Sequence, residues 1–187
     1  MPRALDILVA AIALAILSPV LLIAAVAIKL TSRGPVIYRQ RRVGLGGREF
    51  EMWKLRTMVQ GSDPVGVGKV VYRDDPRVTG PGRILRRTSL DEIPNLVNVL
   101  RGEMAIVGPR PTLESQVDGY TPRQKRRHEV LPGITGWAQI QGRAGIPWEE
   151  RIELDVWYVD HRSVALDARI LARTVWLVLS GQGLAPD

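Results

Sequence analysis

The sequence predicts an α+β membrane protein: an apolar N-terminal helical segment broken near its middle, a small β-hairpin, and several amphipathic helices after it. Three observations carry that expectation. Residues 7–28 hold no charge, two strand-like runs flank a glycine cluster, and beyond residue 82 apolar positions recur at helical spacing between Gly- and Pro-rich loops. At 187 residues the chain has material for one globular core rather than two. The division is therefore a membrane segment in residues 1–33 and a basic domain with one site in residues 34–187.

The apolar block lies between Arg3 and Asp6 on one side and Lys29 and Arg33 on the other. A straight helix over residues 7–28 reaches about 33 Å, enough for a hydrocarbon core of about 30 Å. Pro19 removes a backbone donor and clashes with the preceding turn, so a kink is expected there, with Ser18 available to satisfy a freed carbonyl. With a sharp kink each half is about 16 Å long and both ends return to one face, which suits the cations at both ends. The segment by itself is compatible with a straight span or a re-entrant hairpin. A cleaved leader ending near Ala25-Val26-Ala27 is disfavoured by the length of the apolar run.

After Gly34-Pro35, residues 36–43 and 48–56 read as two strands around Gly44-Leu45-Gly46-Gly47. A strand rather than a helix follows these glycines, so they are poor evidence for a phosphate loop. Residues 61–82 are rich in Gly, Pro and Asp and read as an irregular connection. Leu90, Ile93, Val97 and Leu100 mark a helix ending at Gly102, and the Pro-rich stretch from Val107 to Pro111 reads as a loop. Thr121-Pro122 opens a helix with Gln124 completing a capping box. Its cations Arg123, Lys125, Arg126 and Arg127 suit either a solvated face or substrate contact. Residues 166–179 combine Arg169, Arg173 and Trp176 with an apolar stripe, equally compatible with the headgroup layer and with the core.

A formal charge of +7 points to an anionic partner: nucleic acid, lipid headgroups or a phosphate-rich substrate. Despite five tryptophans, no nucleic-acid-binding module is recognisable, so no nucleic acid is expected. Cysteine is absent, which excludes disulfides, thiolate zinc sites and a cysteine nucleophile. With only His128 and His161, far apart, an imidazole cluster or a Ser-His-Asp triad is disfavoured as well. Chemistry here rests on carboxylates, Arg and Lys.

Acids and cations crowd together in Arg86-Arg87-Thr88-Ser89-Leu90-Asp91-Glu92-Ile93-Pro94-Asn95. One reading is a helix start, with Ser89 and Glu92 as a capping box and Asp91 complementing the positive helix end. The other is phosphoryl transfer: neighbouring carboxylates on a helix diverge by about 100°, so one can attack phosphorus while the other holds a metal.

The chain resembles the monotopic phosphoglycosyl transferase family, or bacterial sugar transferases, in its small catalytic-core form. The resemblance runs through Ser18-Pro19, Lys54-Leu55-Arg56-Thr57-Met58, Asp75-Pro76-Arg77-Val78-Thr79, Thr88 to Pro94, and Gly108-Pro109-Arg110-Pro111. It continues through Pro132-Gly133-Ile134-Thr135-Gly136-Trp137-Ala138-Gln139, Gly142-Arg143 and Asp155-Val156-Trp157-Tyr158. Each motif alone is weak; the ordered set is specific.

The resemblance implies a monotopic protein with Ser18-Pro19 as the break of a re-entrant hairpin. Its catalytic domain would lie on the cytoplasmic face of a bacterial inner membrane. The implied reaction moves a sugar 1-phosphate from a UDP-sugar to polyprenyl phosphate, with Asp91 as nucleophile, release of UMP, and Mg2+ positioned by Glu92. Arg86, Arg87 and Arg110 are then the first candidates for phosphate contacts, followed by Lys54, Arg56 and Arg143, because a guanidinium offers bidentate donors. Each also suits an ordinary salt bridge. Asp155 matches a late acidic position that supports the metal or an arginine. Residues 61–73 and Thr112-Leu113-Glu114 depart from the family pattern and bear on sugar choice, which stays open along with oligomeric state. The competing function is a non-catalytic basic membrane adaptor in which Asp91 and Glu92 only cap a helix.

Overall fold

The computed structural model describes residues 1–62, 75–142 and 146–180. Most of the glycine-rich 61–73 stretch and Arg143 lie outside the described residues. Helix α1, Arg3–Thr31, runs as one helical element with Pro19 inside it. The expected break therefore does not divide the segment into two helices. Pro19 cannot donate to the Ala15 carbonyl four residues back, and the Ser18 hydroxyl donates to that oxygen instead, at 2.8 Å.

Both ends of α1 are bonded to the same body. At its start, Arg3 donates to the carbonyls of Val99 and Met104, and Asp6 accepts from the Ile106 amide at 3.0 Å. At its end, the Ser32 carbonyl and hydroxyl each accept from the Arg56 guanidinium at 2.9 Å. Ala10 packs into the main core, while Ala24 and Ile28 pack with Leu55 and Leu85. Between these anchors Ile16, Leu22 and Ile23 are about two-thirds exposed, an unusually apolar surface for a helix facing water.

The hairpin forms as the sequence predicts. Strands β1, Ile37–Val43, and β2, Glu49–Leu55, pair antiparallel, with Tyr38 opposite Lys54 and Val43 opposite Glu49. Its turn needs left-handed backbone at Gly46 (φ 62°) and Gly47 (φ 77°), which glycine adopts without a Cβ clash.

The irregular connection ends sooner than the composition suggests. Helix α2, Gly80–Arg87, begins inside it because the Thr79 hydroxyl accepts from the Gly82 amide at 3.1 Å and Pro81 sits in the first turn. A 3-10 turn, Leu90–Glu92, leads to α3, Asn95–Arg101, which ends at left-handed Gly102 as predicted.

The Pro-rich loop is bracketed by structure that the sequence did not reveal: β3, Ala105–Val107, pairs parallel with β4, Gly133–Thr135. Two short helices lie between them. These are α4, Glu114–Val117, and α5, Pro122–Lys125, the latter opened by the predicted Thr121–Gln124 box with both bonds made. Helices α6, Trp137–Gln141, α7, Trp148–His161, and α8, Val164–Leu179, complete the described chain. Val99, Met104, Tyr158 and Ile170 meet Ala10 in the core.

The cations around α5 divide between a solvated face, where Arg123 and Lys125 are exposed, and one buried residue, Arg127. Arg123 pairs with Glu153, Arg126 with Asp160, and buried Arg127 with Asp155. Helix α8 packs one side into the core and leaves apolar residues exposed near its end. Leu166, Ile170 and Leu177 are buried, and Val175, Trp176, Val178 and Leu179 near its end are exposed. There the Arg173 guanidinium lies 4.1 Å from the centre of the Trp176 ring.

A Cβ added at Gly133 would sit 2.1 Å from the Gly108 amide nitrogen, a backbone atom that cannot swing aside. Gly133→Ala is expected to destabilise the fold by more than about 2 kcal/mol and to displace the loop after β3. Thermal denaturation beside a Gly119→Ala control, where nothing lies within 4 Å, checks this.

Candidate active site

Asp91 and Glu92 sit on the 3-10 turn between α2 and α3. The turn is set up by Ser89, the one non-glycine residue with positive φ among the described residues, at 57°. Holding a serine there costs on the order of 1–3 kcal/mol, and it sits two residues before Asp91. The anticipated capping box does not form. Ser89 makes no side-chain cap bond, and the regular helix starts only at Asn95 behind Pro94. The reason is local: Pro94 fits the first turn of a helix better than its interior, so the helix begins after the dyad. The two carboxylates are thereby free of capping duty.

Glu92 is clamped. Its Oε1 accepts from Lys54 Nζ at 2.8 Å and from Arg110 at 2.6 Å, and its Oε2 accepts from Arg110 at 3.2 Å. Burial alone would raise the Glu92 pKa, but Arg110 and Lys54 outweigh it and hold the carboxyl well below its usual range. In return Glu92 raises the Arg110 pKa. Burial lowers that of Lys54, against the pull of Glu92.

Asp91 has the opposite environment. Burial first, and then the charge of Glu92, push its pKa up to about 6, with Lys54, Arg86 and Arg110 pulling the other way. Among the described residues it accepts no hydrogen bond and forms no ion pair. A carboxylate surrounded by cations but bonded to none is available for chemistry.

These groups line one cavity of about 1650 Å³, into which Lys54, Arg86, Asp91, Glu92, Arg110 and Asp155 all open. Arg56 also lines it, although its guanidinium holds the end of α1 through Ser32. Arg87, one residue from Arg86, is exposed and is not part of the lining. Asp155 is committed to Arg127, both nearly fully buried. Burial raises the Asp155 pKa to about 6 in spite of that partner. Arg127 also donates to the Arg110 carbonyl and to the Tyr120 hydroxyl, each at 2.8 Å. Of the two roles open to Asp155, support of an arginine is the one the geometry shows.

The site also contains a cation not singled out from sequence. Arg42 on β1 lines the cavity; burial and the charge of Arg110 lower its pKa to about 10. Strand alternation was the available signal, since Tyr38, Gln40 and Arg42 share one face of β1 and Tyr38 is paired with Lys54.

No group of three or more His, Cys, Asp or Glu side chains suited to a metal occurs among the described residues. A pair of carboxylates does fit Mg2+, which commonly takes one or two carboxylates and fills its remaining positions with water and substrate phosphate.

The family model for bacterial sugar transferases matches residues 1–181. "Uncharacterized sugar transferase EpsL" of Bacillus subtilis (strain 168) is 45% identical over 182 residues, 97% of this chain and 89% of that protein. "UDP-glucose:undecaprenyl-phosphate glucose-1-phosphate transferase" of Caulobacter vibrioides is 46% identical over 181 residues, covering 92% of this chain and 67% of that protein. The chain is also 42% identical over 187 residues to "UDP-N-acetylgalactosamine-undecaprenyl-phosphate N-acetylgalactosaminephosphotransferase" of Aeromonas hydrophila, covering 97% of this chain and 44% of that protein. With these matches running through the turn that carries Asp91 and Glu92 and through the cations around it, the chain belongs to the bacterial sugar transferase family.

Proposed function

We propose that this protein is a phosphoglycosyl transferase that moves a sugar 1-phosphate from a UDP-sugar to undecaprenyl phosphate and releases UMP, a membrane step in glycoconjugate assembly. The observation that carries it is the pairing of a clamped carboxylate with an unbonded one in a cation-rich cavity. The names of the related Caulobacter and Aeromonas proteins supply the substrate classes.

In the proposed reaction an Asp91 carboxylate oxygen attacks the phosphorus that bears the sugar. The bond from that phosphorus to the bridging oxygen breaks, and UMP leaves with the electron pair, giving a phosphosugar-aspartyl enzyme. An oxygen of undecaprenyl phosphate then attacks the same phosphorus, which frees Asp91 and yields the undecaprenyl diphosphate sugar. Splitting one transfer between two anions into two displacements lets a single carboxylate serve both. Arg86 and Arg110 lower the repulsion between that carboxylate and the diphosphate and stabilise charge on the leaving group. Glu92, held by Lys54 and Arg110, keeps both cations aimed at the cavity. Glu92 would position a Mg2+ ion, whose chemistry when bound is to neutralise phosphate charge.

For the membrane, the supporting facts are the apolar run of α1 and the attachment of both its ends to one body. A helix crossing the bilayer would leave its two polar ends on opposite faces. We place α1 as a re-entrant element of a monotopic protein in the inner membrane, the catalytic domain on the cytoplasmic face, with Trp176 and its apolar neighbours on α8 in the headgroup layer.

Asp91→Asn is expected to reduce turnover by about 10³-fold or more while leaving the melting temperature unchanged or higher, because an ionised carboxylate leaves a site that disfavours it. In the unsubstituted enzyme activity falls as acid protonates the nucleophile, with the acid limb at or below about pH 6. With UDP-sugar and Mg2+ but no lipid acceptor, mass spectrometry should find a phosphosugar adduct on Asp91; an unmodified residue in an enzyme that still turns over overturns the mechanism. Cysteines placed singly at Pro2 and Arg33 should both react with an impermeant reagent from the same side of sealed vesicles. Reaction from opposite sides restores a straight span.

A further inference from the structure

Charges on the cavity wall are not all matched. Glu92 is shared by Lys54 and Arg110, and Asp155 is taken by Arg127. Arg42 has only neutral acceptors among the described residues: its Nε and one terminal nitrogen donate to Gln40 Oε1 at 3.1 and 2.6 Å, and the other terminal nitrogen reaches the Pro111 carbonyl at 3.4 Å. A guanidinium carries five N–H groups, so these three bonds leave two unused on a group that Gln40 holds in place. The Pro111 contact also places this cation next to Arg110, whose like charge acts on it more strongly than the opposing charge of Glu92, to which it is not bonded.

A half-buried cation fixed by an amide, without a carboxylate, beside a second cation and open to a cavity is organised to receive an anion. A purely structural latch onto the Pro111 loop explains the arrangement poorly, since its one bond to that loop is at the long limit for N–H···O.

We propose that Arg42, oriented by Gln40, anchors a second phosphate subsite on the cavity wall, beside the Lys54–Glu92–Arg110 clamp and distinct from it. The identity of its ligand rests on the phosphosugar-transfer reading. Within that reading the anion is either the uridine-linked phosphate of the donor or the phosphate of the lipid acceptor, and both present the non-bridging oxygens that Arg42 matches.

The test uses the full chain in nanodiscs, with Arg42→Gln removing the charge and Arg42→Lys keeping it without the fork. Affinities are measured for pyrophosphate, UMP, uridine and undecaprenyl phosphate, beside melting temperatures. Loss of a bidentate charged contact should weaken an anionic probe by about tenfold or more in Arg42→Gln, less in Arg42→Lys, with uridine binding unchanged. A loss for UMP assigns the subsite to the donor, a loss for undecaprenyl phosphate assigns it to the acceptor, and either supports it. Less than threefold change for every anionic probe, in whichever variant melts like the parent, overturns it. Absence of sugar-phosphate turnover in the unsubstituted protein would remove the reading above and leave the pyrophosphate titration to decide the subsite.

Discussion

The carboxylate of Glu92, held between Lys54 and Arg110, is the interaction on which the site depends. It joins three stretches of chain, Lys54 lying 38 positions before Glu92 and Arg110 lying 18 after it. One anion shared by two cations leaves a surplus of positive charge. That surplus faces Asp91, whose own burial and whose neighbour Glu92 oppose its ionisation. The two adjacent carboxylates are thus driven apart in character: one held well below its usual pKa and locked, the other raised to about 6 and unbonded. Environment rather than residue type makes the difference, as in other paired carboxylates that divide a reaction between them.

The clamp works only if Arg110 arrives at the right place, and the fold supplies this from behind. The β3–β4 pair leaves no room for a Cβ at Gly133, and the Gly108 amide donates to the Thr135 carbonyl at 2.9 Å. Arg127 then holds the Arg110 carbonyl while its charge is answered by Asp155. Burying that ion pair is expensive in desolvation and is weak evidence for stability. Its value lies in fixing geometry, because a guanidinium bonded to Asp155, Tyr120 and the Arg110 carbonyl leaves the loop little freedom.

What could be read from the sequence was what is local. The hairpin, the Thr121–Gln124 box, the end of α3 at Gly102 and the help of Ser18 at Pro19 are each decided within a few residues, and each is found in the structure. The Ser89–Glu92 box was a local pattern too, but it lost to Pro94 and to the tertiary demand of two cations on Glu92. Start of α2 at Thr79 was hidden in a run of glycine and proline whose composition outweighed a single cap. Pairing of β3 with β4 spans a long loop and has no periodicity in three-residue strands. For the same reason Arg127 could not be told from its neighbours Arg123 and Arg126: all three are basic residues next to one another, and only the packing of α7 separates a buried organiser from surface ion pairs.

Strand β2 connects the chemistry with the apolar segment. Lys54 bonds Glu92, and Arg56, two residues on, bonds Ser32 just past the end of α1. In extended chain two residues cover about 7 Å, so the exit of α1 and the clamped carboxylate are held a short distance apart by one stretch of backbone. Any tilt or withdrawal of α1 would pull on Ser32, then on Arg56, and so on the strand that carries Lys54. In the proposed reaction one substrate is soluble and the other is dissolved in lipid, and the phosphorus must meet both at one place. With α1 as the proposed membrane element, a clamp whose Lys54 lies two residues from the Arg56 that bonds the end of α1 would satisfy that requirement through covalent geometry.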